Sequence, residues 1–195
     1  MTETVAPFTA FAGSKLLASG PLAEVAVAVK IATGGIGDPI IIFDNTTGRP
    51  IDLDLRGTHR EIVARLPQPA SSEPGTGTST EPRGRGRPKL GVVAREVTLL
   101  PRHWDWLAAQ PGGASVALRK LVDEARRANG DRDRARAARD AAYYFMSTMA
   151  GDLPNFEEAS RALFAADRRR FGELIGGWPV DIRDHTVRLA FTDRA

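Results

Sequence analysis

A stretch of sixteen residues in the first half of the chain limits the possible folds more than any other sequence feature. Twelve of the residues 67–82 are Pro, Gly, Ser or Thr, a composition that favours a flexible linker over a helix or a paired strand. This linker predicts that the 195-residue chain is divided into separate parts on its two sides.

A basic segment follows the linker directly. Residues 83–89 carry four positive charges on a backbone that also contains two glycines and a proline, so neither a helix nor a paired strand is expected. A thin cationic ribbon suits the minor groove of A·T-rich DNA, where the potential is most negative. Residues 83–90 resemble the AT-hook of chromatin proteins, and the alternative is a disordered basic linker. The residues expected to contact DNA are Arg83, Arg85, Gly86, Arg87, Pro88 and Lys89.

The charge of the chain is concentrated in one segment. Residues 83–139 contain 14 basic and 6 acidic side chains, a balance of +8. Residues 1–66 contain 6 basic and 7 acidic side chains, and residues 140–195 contain 7 basic and 9 acidic ones. Such a block is the electrostatic footprint expected of a surface that binds phosphates.

Residues 1–66 predict a compact antiparallel α+β domain. A strand pair is expected over 7–18, a helix over 21–33, a buried strand over 39–43 and an alternating partner strand over 51–55. A second helix begins after Thr58, which stands three residues before Glu61 with the spacing of a capping box.

The segment after the basic ribbon predicts a strand over 92–100, a helix over 102–110 and a second helix from 114 to 129. In this order, residues 91–130 resemble the ribbon-helix-helix DNA-binding fold. The resemblance implies that two chains pair their strands into a ribbon that enters the major groove, so a homodimer is expected. It also implies a phosphate contact at the start of the second helix, formed by Gly113, Ala114 and Ser115.

Two registers are open for the predicted strand. If Val97 and Leu99 face the core, Glu96 and Thr98 face the groove; the opposite phase presents Arg95 instead. The first phase is favoured, with Thr98 as the main base contact and Glu96 able to accept a hydrogen bond from cytosine. The alternative to a DNA-reading ribbon is an ordinary strand and helix pair within a larger core.

Residues 131–195 are predicted to be mainly helical. Helices are expected over 131–150, from Asn155 to about 165, from Asp167 to about 176, and after Pro179. The fold class is therefore α+β, with an N-terminal α+β domain, a linker, a ribbon-helix-helix-like module and a C-terminal helical region.

The sequence gives little indication of catalysis. The three histidines are far apart, cysteine is absent, and no phosphate-binding loop or nucleophile motif occurs, so we predict no enzyme activity, no cofactor and no metal site. Asp52 and Asp54 share one face of the predicted strand and could hold a cation, although a solvated strand face is favoured. The N-terminus does not resemble a signal peptide and no long apolar run occurs, which predicts a soluble, cytoplasmic protein without membrane contact.

Three blocks of the sequence resemble one bacterial family. They are Ser-Gly-Pro-Leu-Ala-Glu-Val-Ala at 19–26 together with Ile-Phe-Asp at 42–44, the segment Gly-Arg-Pro-Lys-Leu-Gly-Val-Val-Ala-Arg-Glu-Val-Thr-Leu-Leu-Pro-Arg-His-Trp at 86–104, and Met-Ala-Gly-Asp-Leu-Pro at 149–154. The family is the uncharacterised domain of unknown function 2239, and the similarity covers nearly the whole chain. It implies a bacterial origin and supplies no activity, cofactor or site residue.

The sequence therefore predicts a DNA-binding homodimer that prefers A·T-rich sites and acts as a transcriptional regulator or a nucleoid-associated factor. One alternative is a dimerisation or protein-docking module, like an antitoxin, without DNA specificity of its own. A further alternative is a ligand or metal site in the N-terminal domain, built on Asp44, Asp52 and Asp54 and responding to a small effector.

Overall fold

The computed structural model describes residues 6–35, 37–67, 93 and 95–191, which fall into two compact units. The first unit consists of residues 1–67 and 130–195, and the second consists of residues 68–129. The sequence-based division placed residues 1–66 and 131–195 in separate regions. In the structure these two stretches belong to the same unit and share one core.

The chain has a small sheet near its N-terminus and is mostly helical afterwards, so the predicted α+β class is confirmed. The strands are Phe8–Ala12 (β1), Lys15–Gly20 (β2), Ile40–Asp44 (β3) and Arg49–Ile51 (β4). The helices are Leu22–Ala32 (α1), His59–Arg65 (α2), Pro101–Ala108 (α3), Gly113–Met149 (α4), Phe156–Phe164 (α5), Arg168–Leu174 (α6) and Val180–Phe191 (α7).

The four strands form an antiparallel sheet in the order β2-β1-β3-β4. The two central strands pair without interruption from Phe8 opposite Asp44 to Ala12 opposite Ile40. The predicted hairpin between β1 and β2 is confirmed, and its turn uses Gly13 with φ of +54°, a conformation that suits glycine.

Each face of the sheet carries its own layer of apolar side chains. On one face, Ala10 and Ile42 pack with Val25 and Val29 of α1. Phe11 and Phe43 belong to the other layer, where the ring of Phe145 from α4 lies 5.2 Å from the first and 4.9 Å from the second. Burial on both faces explains why β3 is an uninterrupted apolar run rather than an alternating one.

Residues 130–195 contribute most of the larger core. The buried members of this core on α5, α6 and α7 and in the loops between them are Ala159, Ala162, Leu163, Phe171, Ile175, Trp178, Ile182, Leu189 and Ala190. The indole N–H of Trp178 donates to the carbonyl of Pro154 at 2.8 Å, so this buried ring leaves no polar atom unpaired.

Several helix ends follow their sequence signals. The predicted capping box at α2 is confirmed, because Thr58 N–H donates to Glu61 Oε2 at 2.7 Å and Thr58 Oγ1 accepts from Glu61 N–H at 3.4 Å. Asp167 caps α6 by accepting from Arg170 N–H at 2.9 Å. Asn155 stands before α5 but makes no cap; with φ of +64°, its side-chain amide donates to the carbonyl of Leu174 at 3.3 Å.

The predicted strand over 51–55 is wrong in its bounds. Strand β4 spans Arg49–Ile51 and shares only Ile51 with the prediction, and residues 52–56 continue without a strand partner while their burial still alternates. The guanidinium of Arg65 donates to the backbone carbonyls of Asp54 and Arg56. A side chain therefore satisfies acceptors that another strand would otherwise pair with at this sheet edge.

The predicted helix end at Asn129 and Gly130 is wrong. Helix α4 runs through both residues without interruption from Gly113 to Met149. A glycine inside a helix costs about 1 kcal/mol relative to alanine, which a long helix can tolerate. Ion pairs of Arg134 with Asp131 and of Arg136 with Asp133 support the turns that follow Gly130.

The turn between β3 and β4 lies close against α4. Gly48 has φ of +68°, and a Cβ at this position would stand 1.8 Å from the backbone oxygen of Ala141. The next residue, Arg49, places its guanidinium carbon 3.8 Å from the ring centroid of Tyr144. Only glycine fits this approach of turn and helix.

Candidate nucleic-acid interface

The predicted site residues fall into three groups by position. Residues 95–98 lie before α3, and residues 113–115 form the start of α4. The hook residues lie outside the described part of the chain; they are Arg83, Arg85, Gly86, Arg87, Pro88 and Lys89.

Residues 95–100 form neither a helix nor a strand in the structure. Arg95, Glu96 and Thr98 are exposed, and Val97 is 51% exposed, so neither predicted register has produced a buried face. A strand requires a hydrogen-bonded neighbour, and no strand of the described residues pairs with this segment. In the predicted ribbon, the neighbouring strand would come from a second chain.

Helix α4 begins at Gly113, within one residue of its predicted start. Gly112 and Gly113 have φ of +86° and +76°, which turn the chain after α3 in a way that suits glycine. Gly113 N–H donates to the carbonyl of Gln110 at 2.9 Å. Ala114 and Ser115 follow in the first turn, where backbone N–H groups have no acceptor within the helix.

The middle of α4 is exposed on all sides. Every residue from 119 to 137 is exposed except the half-buried Gly130. Within the described residues, five exposed cations form no ion pair: Arg119, Lys120, Arg126, Arg127 and Arg132. Arg134 and Arg136 are paired with aspartates. Sequence reasoning counted these charges in the basic block without assigning a role to any of them.

Helices α3 and α4 carry a partly exposed apolar surface. Only Leu107 and Ala117 are buried apolar residues among the described residues 93 and 95–129. Trp104 and Trp106 are 41% and 52% exposed. A groove between the two helices is lined by Trp106, Gln110, Pro111, Ala117, Lys120, Leu121 and Glu124.

Two of the three aspartates considered as a cation site, Asp44 and Asp54, are engaged in other contacts. Asp54 accepts from Arg56 Nε at 2.9 Å and Nη2 at 3.0 Å, and this side-chain hydrogen bonding holds the pKa of Asp54 well below its ordinary value. Asp44 Oδ1 accepts from the backbone N–H of Thr46 at 2.8 Å. The described residues contain no group of three side chains arranged to hold a metal ion.

A buried polar chain links the sheet to α7. Ser19 Oγ lies 3.1 Å from Thr9 Oγ1, and Asn45 Nδ2 donates to Thr9 Oγ1 and to the carbonyl of Ala6, both at 2.7 Å. Asn45 Oδ1 lies 3.2 Å from His185 Nε2. Since this oxygen can only accept, Nε2 carries the proton and Nδ1 is a bare acceptor.

The imidazole of His185 is enclosed by aromatic rings. Its centroid lies 4.6 Å from that of Phe145 and 5.4 Å from that of Phe11, and Nδ1 has no hydrogen-bond partner. Burial, aided by the positive charge of Arg188, lowers the pKa of His185 to about 4. Sequence reasoning missed this network because Asn45 and His185 are 140 residues apart.

Comparison with known proteins adds one match. A family model described as "Uncharacterized protein conserved in bacteria (DUF2239)" matches residues 7–190. No curated protein and no solved structure matches the chain. None of the helices in the described residues is long and apolar enough to cross a membrane.

Proposed function

The chain belongs to the bacterial family described as DUF2239, whose description names no activity, and we propose from its residues that it is a DNA-binding homodimer. It would act as a transcriptional regulator or a nucleoid-associated factor in the cytoplasm. Contact with the major groove would come from a ribbon formed by two chains, and contact with the minor groove from the arginine-rich segment 83–89.

The observation that carries the proposal is the concentration of positive charge. Residues 83–139 hold 14 of the 27 basic side chains and only 6 of the 24 acidic ones. Along α4, the cations from Arg119 to Arg136 are exposed, and five of them have no carboxylate partner within the described residues. A surface of this kind binds phosphates by releasing the counterions of DNA.

The arginine-rich segment would provide preference for A·T pairs. Arg85 and Arg87 flank Gly86, which has no side chain to widen the ribbon. Inserted arginines favour the narrow minor groove of A-tracts, and the missing guanine amino group leaves its floor open. Only a short connection separates this segment from the predicted ribbon. When one of the two is bound to DNA, the other is therefore held near its own groove at a high effective concentration.

The ribbon would provide direct reading of bases. Its two strands would be the copies of residues 95–100, which have no strand partner within the described residues. Thr98 and Glu96 would face the bases in the favoured register, and Arg95 in the opposite one. The backbone N–H groups of residues 113–115, at the positive end of the α4 dipole, would contact a phosphate.

The test is fluorescence anisotropy on A·T-rich and G·C-rich duplexes over a range of salt concentrations. With about eight phosphate contacts, log affinity is expected to fall against log salt with a slope of about −7. A double variant, Arg85→Ala with Arg87→Ala, is expected to lose the A·T preference. The charge-matched control is Arg161→Ala with Arg169→Ala, two exposed arginines on α5 and α6, and it is expected to bind like the wild type. A slope near zero would contradict the proposal.

A second candidate function is protein docking by a dimer that does not recognise DNA. The partly exposed Trp104 and Trp106 favour it, because tryptophan is enriched in protein interfaces. A stable dimer that binds neither duplex even at low salt would support this candidate over DNA binding.

A further inference from the structure

The groove between α3 and α4 is lined by an aromatic side chain of one helix and apolar side chains of the other. Trp106 of α3 is 52% exposed, and Ala117 and Leu121 of α4 line the same groove. Ala117 and Leu121 stand four residues apart, which places them on one side of α4. The groove has a volume of about 160 Å³, and an apolar cavity of about 150 Å³ is enough to hold benzene. Its size and lining therefore suit one small ring.

Two opposite charges line the same groove. Lys120 and Glu124 stand at i and i+4 on α4 and both belong to the lining. Opposite charges at this spacing often pair along a helix, but the pair is weaker when the lysine comes first. The ion pairs of α4 in the described part of the chain are those of Arg134 and Arg136. The ammonium of Lys120 and the carboxylate of Glu124 therefore have no ion-pair partner among the described residues.

The groove also holds a neutral hydrogen-bond acceptor. Gln110 lines it and is half-buried. The side-chain amide of Gln110 donates through Nε2 to the carbonyl of Trp106 at 3.2 Å, which orients the side chain. Its Oε1 is left as an acceptor for an N–H group.

This lining selects among small aromatic molecules by their charge. An aromatic acid would bring its carboxylate near Glu124 as well as Lys120, and an aromatic amine would bring its ammonium near Lys120 as well as Glu124. A head group that carries both charges attracts each side chain and repels neither. The carboxylate and ammonium of an α-amino acid form such a head group, and the long side chains of Lys120 and Glu124 can approach it together.

We propose that a free α-amino acid with a single-ring aromatic side chain binds in the groove between α3 and α4. Its ring packs against the indole of Trp106. Its carboxylate pairs with Lys120, and its ammonium pairs with Glu124 and donates to Gln110 Oε1. The second unit is then a receptor for a small molecule, a role that goes beyond the proposed DNA binding.

The test is isothermal titration calorimetry of the full chain with three probes that share one ring and differ in the head group. Phenylalanine carries both charges, 3-phenylpropionate lacks the ammonium, and 2-phenylethylamine lacks the carboxylate. We expect a dissociation constant in the millimolar range for phenylalanine, because the groove is open to solvent. Each of the other two probes is expected to bind about threefold more weakly, because it loses one exposed ion pair and brings its remaining charge near a like charge.

Exchange of single charges tests which side chain reads which part of the head group. Lys120→Gln is expected to remove the preference for phenylalanine over 2-phenylethylamine, and Glu124→Gln the preference over 3-phenylpropionate. Arg119→Gln and Asp123→Asn are the matched controls, since they alter exposed charges at the preceding positions, which do not line the groove. Both controls are expected to keep both preferences. Far-UV circular dichroism checks that each variant retains α4.

Tryptophan emission locates the bound ring. Trp104 stands two residues before Trp106 and therefore faces another side of α3, and Trp178 is buried at 4% exposure. Phenylalanine is expected to shift the emission of the wild type and of Trp104→Phe. The shift is expected to be absent in Trp106→Phe, which keeps a ring at this position for packing.

Three results would overturn the proposal. They are the absence of heat and of an emission shift up to the solubility limit of phenylalanine, equal binding of the three probes, and a Trp106 shift that depends on protein concentration alone. The last result would mean that a second copy of the chain fills the groove.

The titrations contain no DNA, so their outcome is separate from the proposed function. A chain that binds phenylalanine but no duplex would keep this site and reject DNA binding. A chain that binds A·T-rich duplex but not phenylalanine would keep DNA binding and reject this site.

Discussion

The buried imidazole of His185 makes the stability of the first unit depend on pH. Burial lowers its pKa to about 4 in the folded chain, whereas the ordinary value is 6.5. The unfolded chain therefore binds the proton more tightly, and protonation favours unfolding. The stabilising contribution is complete above pH 6.5 and is lost as the pH falls from there towards 4.

The size of the effect follows from the two pKa values. Their difference corresponds to about 3 kcal/mol of unfolding free energy when the pH has fallen below both. Between about pH 7 and about pH 5, the same linkage gives a loss of about 2 kcal/mol. Phe11 and Phe145 surround the ring and Asn45 already pairs with Nε2, so no nearby group compensates the added proton.

Urea unfolding at several pH values, followed by far-UV circular dichroism, measures this loss. His185→Gln is expected to remove the loss between pH 7 and pH 5, whatever its effect on stability at neutral pH. The matched controls are His59→Gln and His103→Gln, whose side chains are exposed, and both are expected to retain the wild-type pH dependence. An equal loss in His185→Gln and the wild type would refute the reasoning.

Two further predictions concern the contact between the sheet and the C-terminal helices. Gly48→Ala is expected to lower the free energy of unfolding by more than about 2 kcal/mol, because its Cβ would meet the backbone oxygen of Ala141 at 1.8 Å. Gly35→Ala, with nothing within 4 Å of its Cβ, is expected to change it by less than about 0.5 kcal/mol; equal effects in urea titrations would contradict the close approach. A fragment of residues 1–67 is expected to melt without cooperativity by circular dichroism, whereas residues 1–67 joined to 130–195 through a flexible linker are expected to melt cooperatively. A cooperative transition in the short fragment would contradict the shared core.

Local sequence signals predicted much of the secondary structure. The capping spacing of Thr58 and Glu61 and the strand pair of β1 and β2 each depend on residues a few positions apart, so the sequence beside them is sufficient. The helix after Pro179, observed as α7, follows from local signals in the same way.

Features that depend on distant parts of the chain could not be predicted. The apolar run of β3 indicated burial, but nothing near it indicated that residues from α4 and the C-terminal helices would cover one face. The pairing of Asn45 with His185 joins two residues that are unremarkable in their own segments. At Gly130, the local preference for a break was outweighed by the length and ion pairs of α4.

The shared core of the first unit has a consequence during protein synthesis. The ribosome completes the four strands by residue 51, but α4, which supplies Phe145, ends only at Met149. At about 5–20 residues per second, the 98 residues from 52 to 149 take about 5–20 s to produce. Until then the core-facing side of the sheet, with Phe11 and Phe43, lacks the ring of Phe145 that packs on it in the folded chain. Chaperones bind exposed apolar surface of this kind, so we expect them to hold the nascent chain at least until α4 has been made.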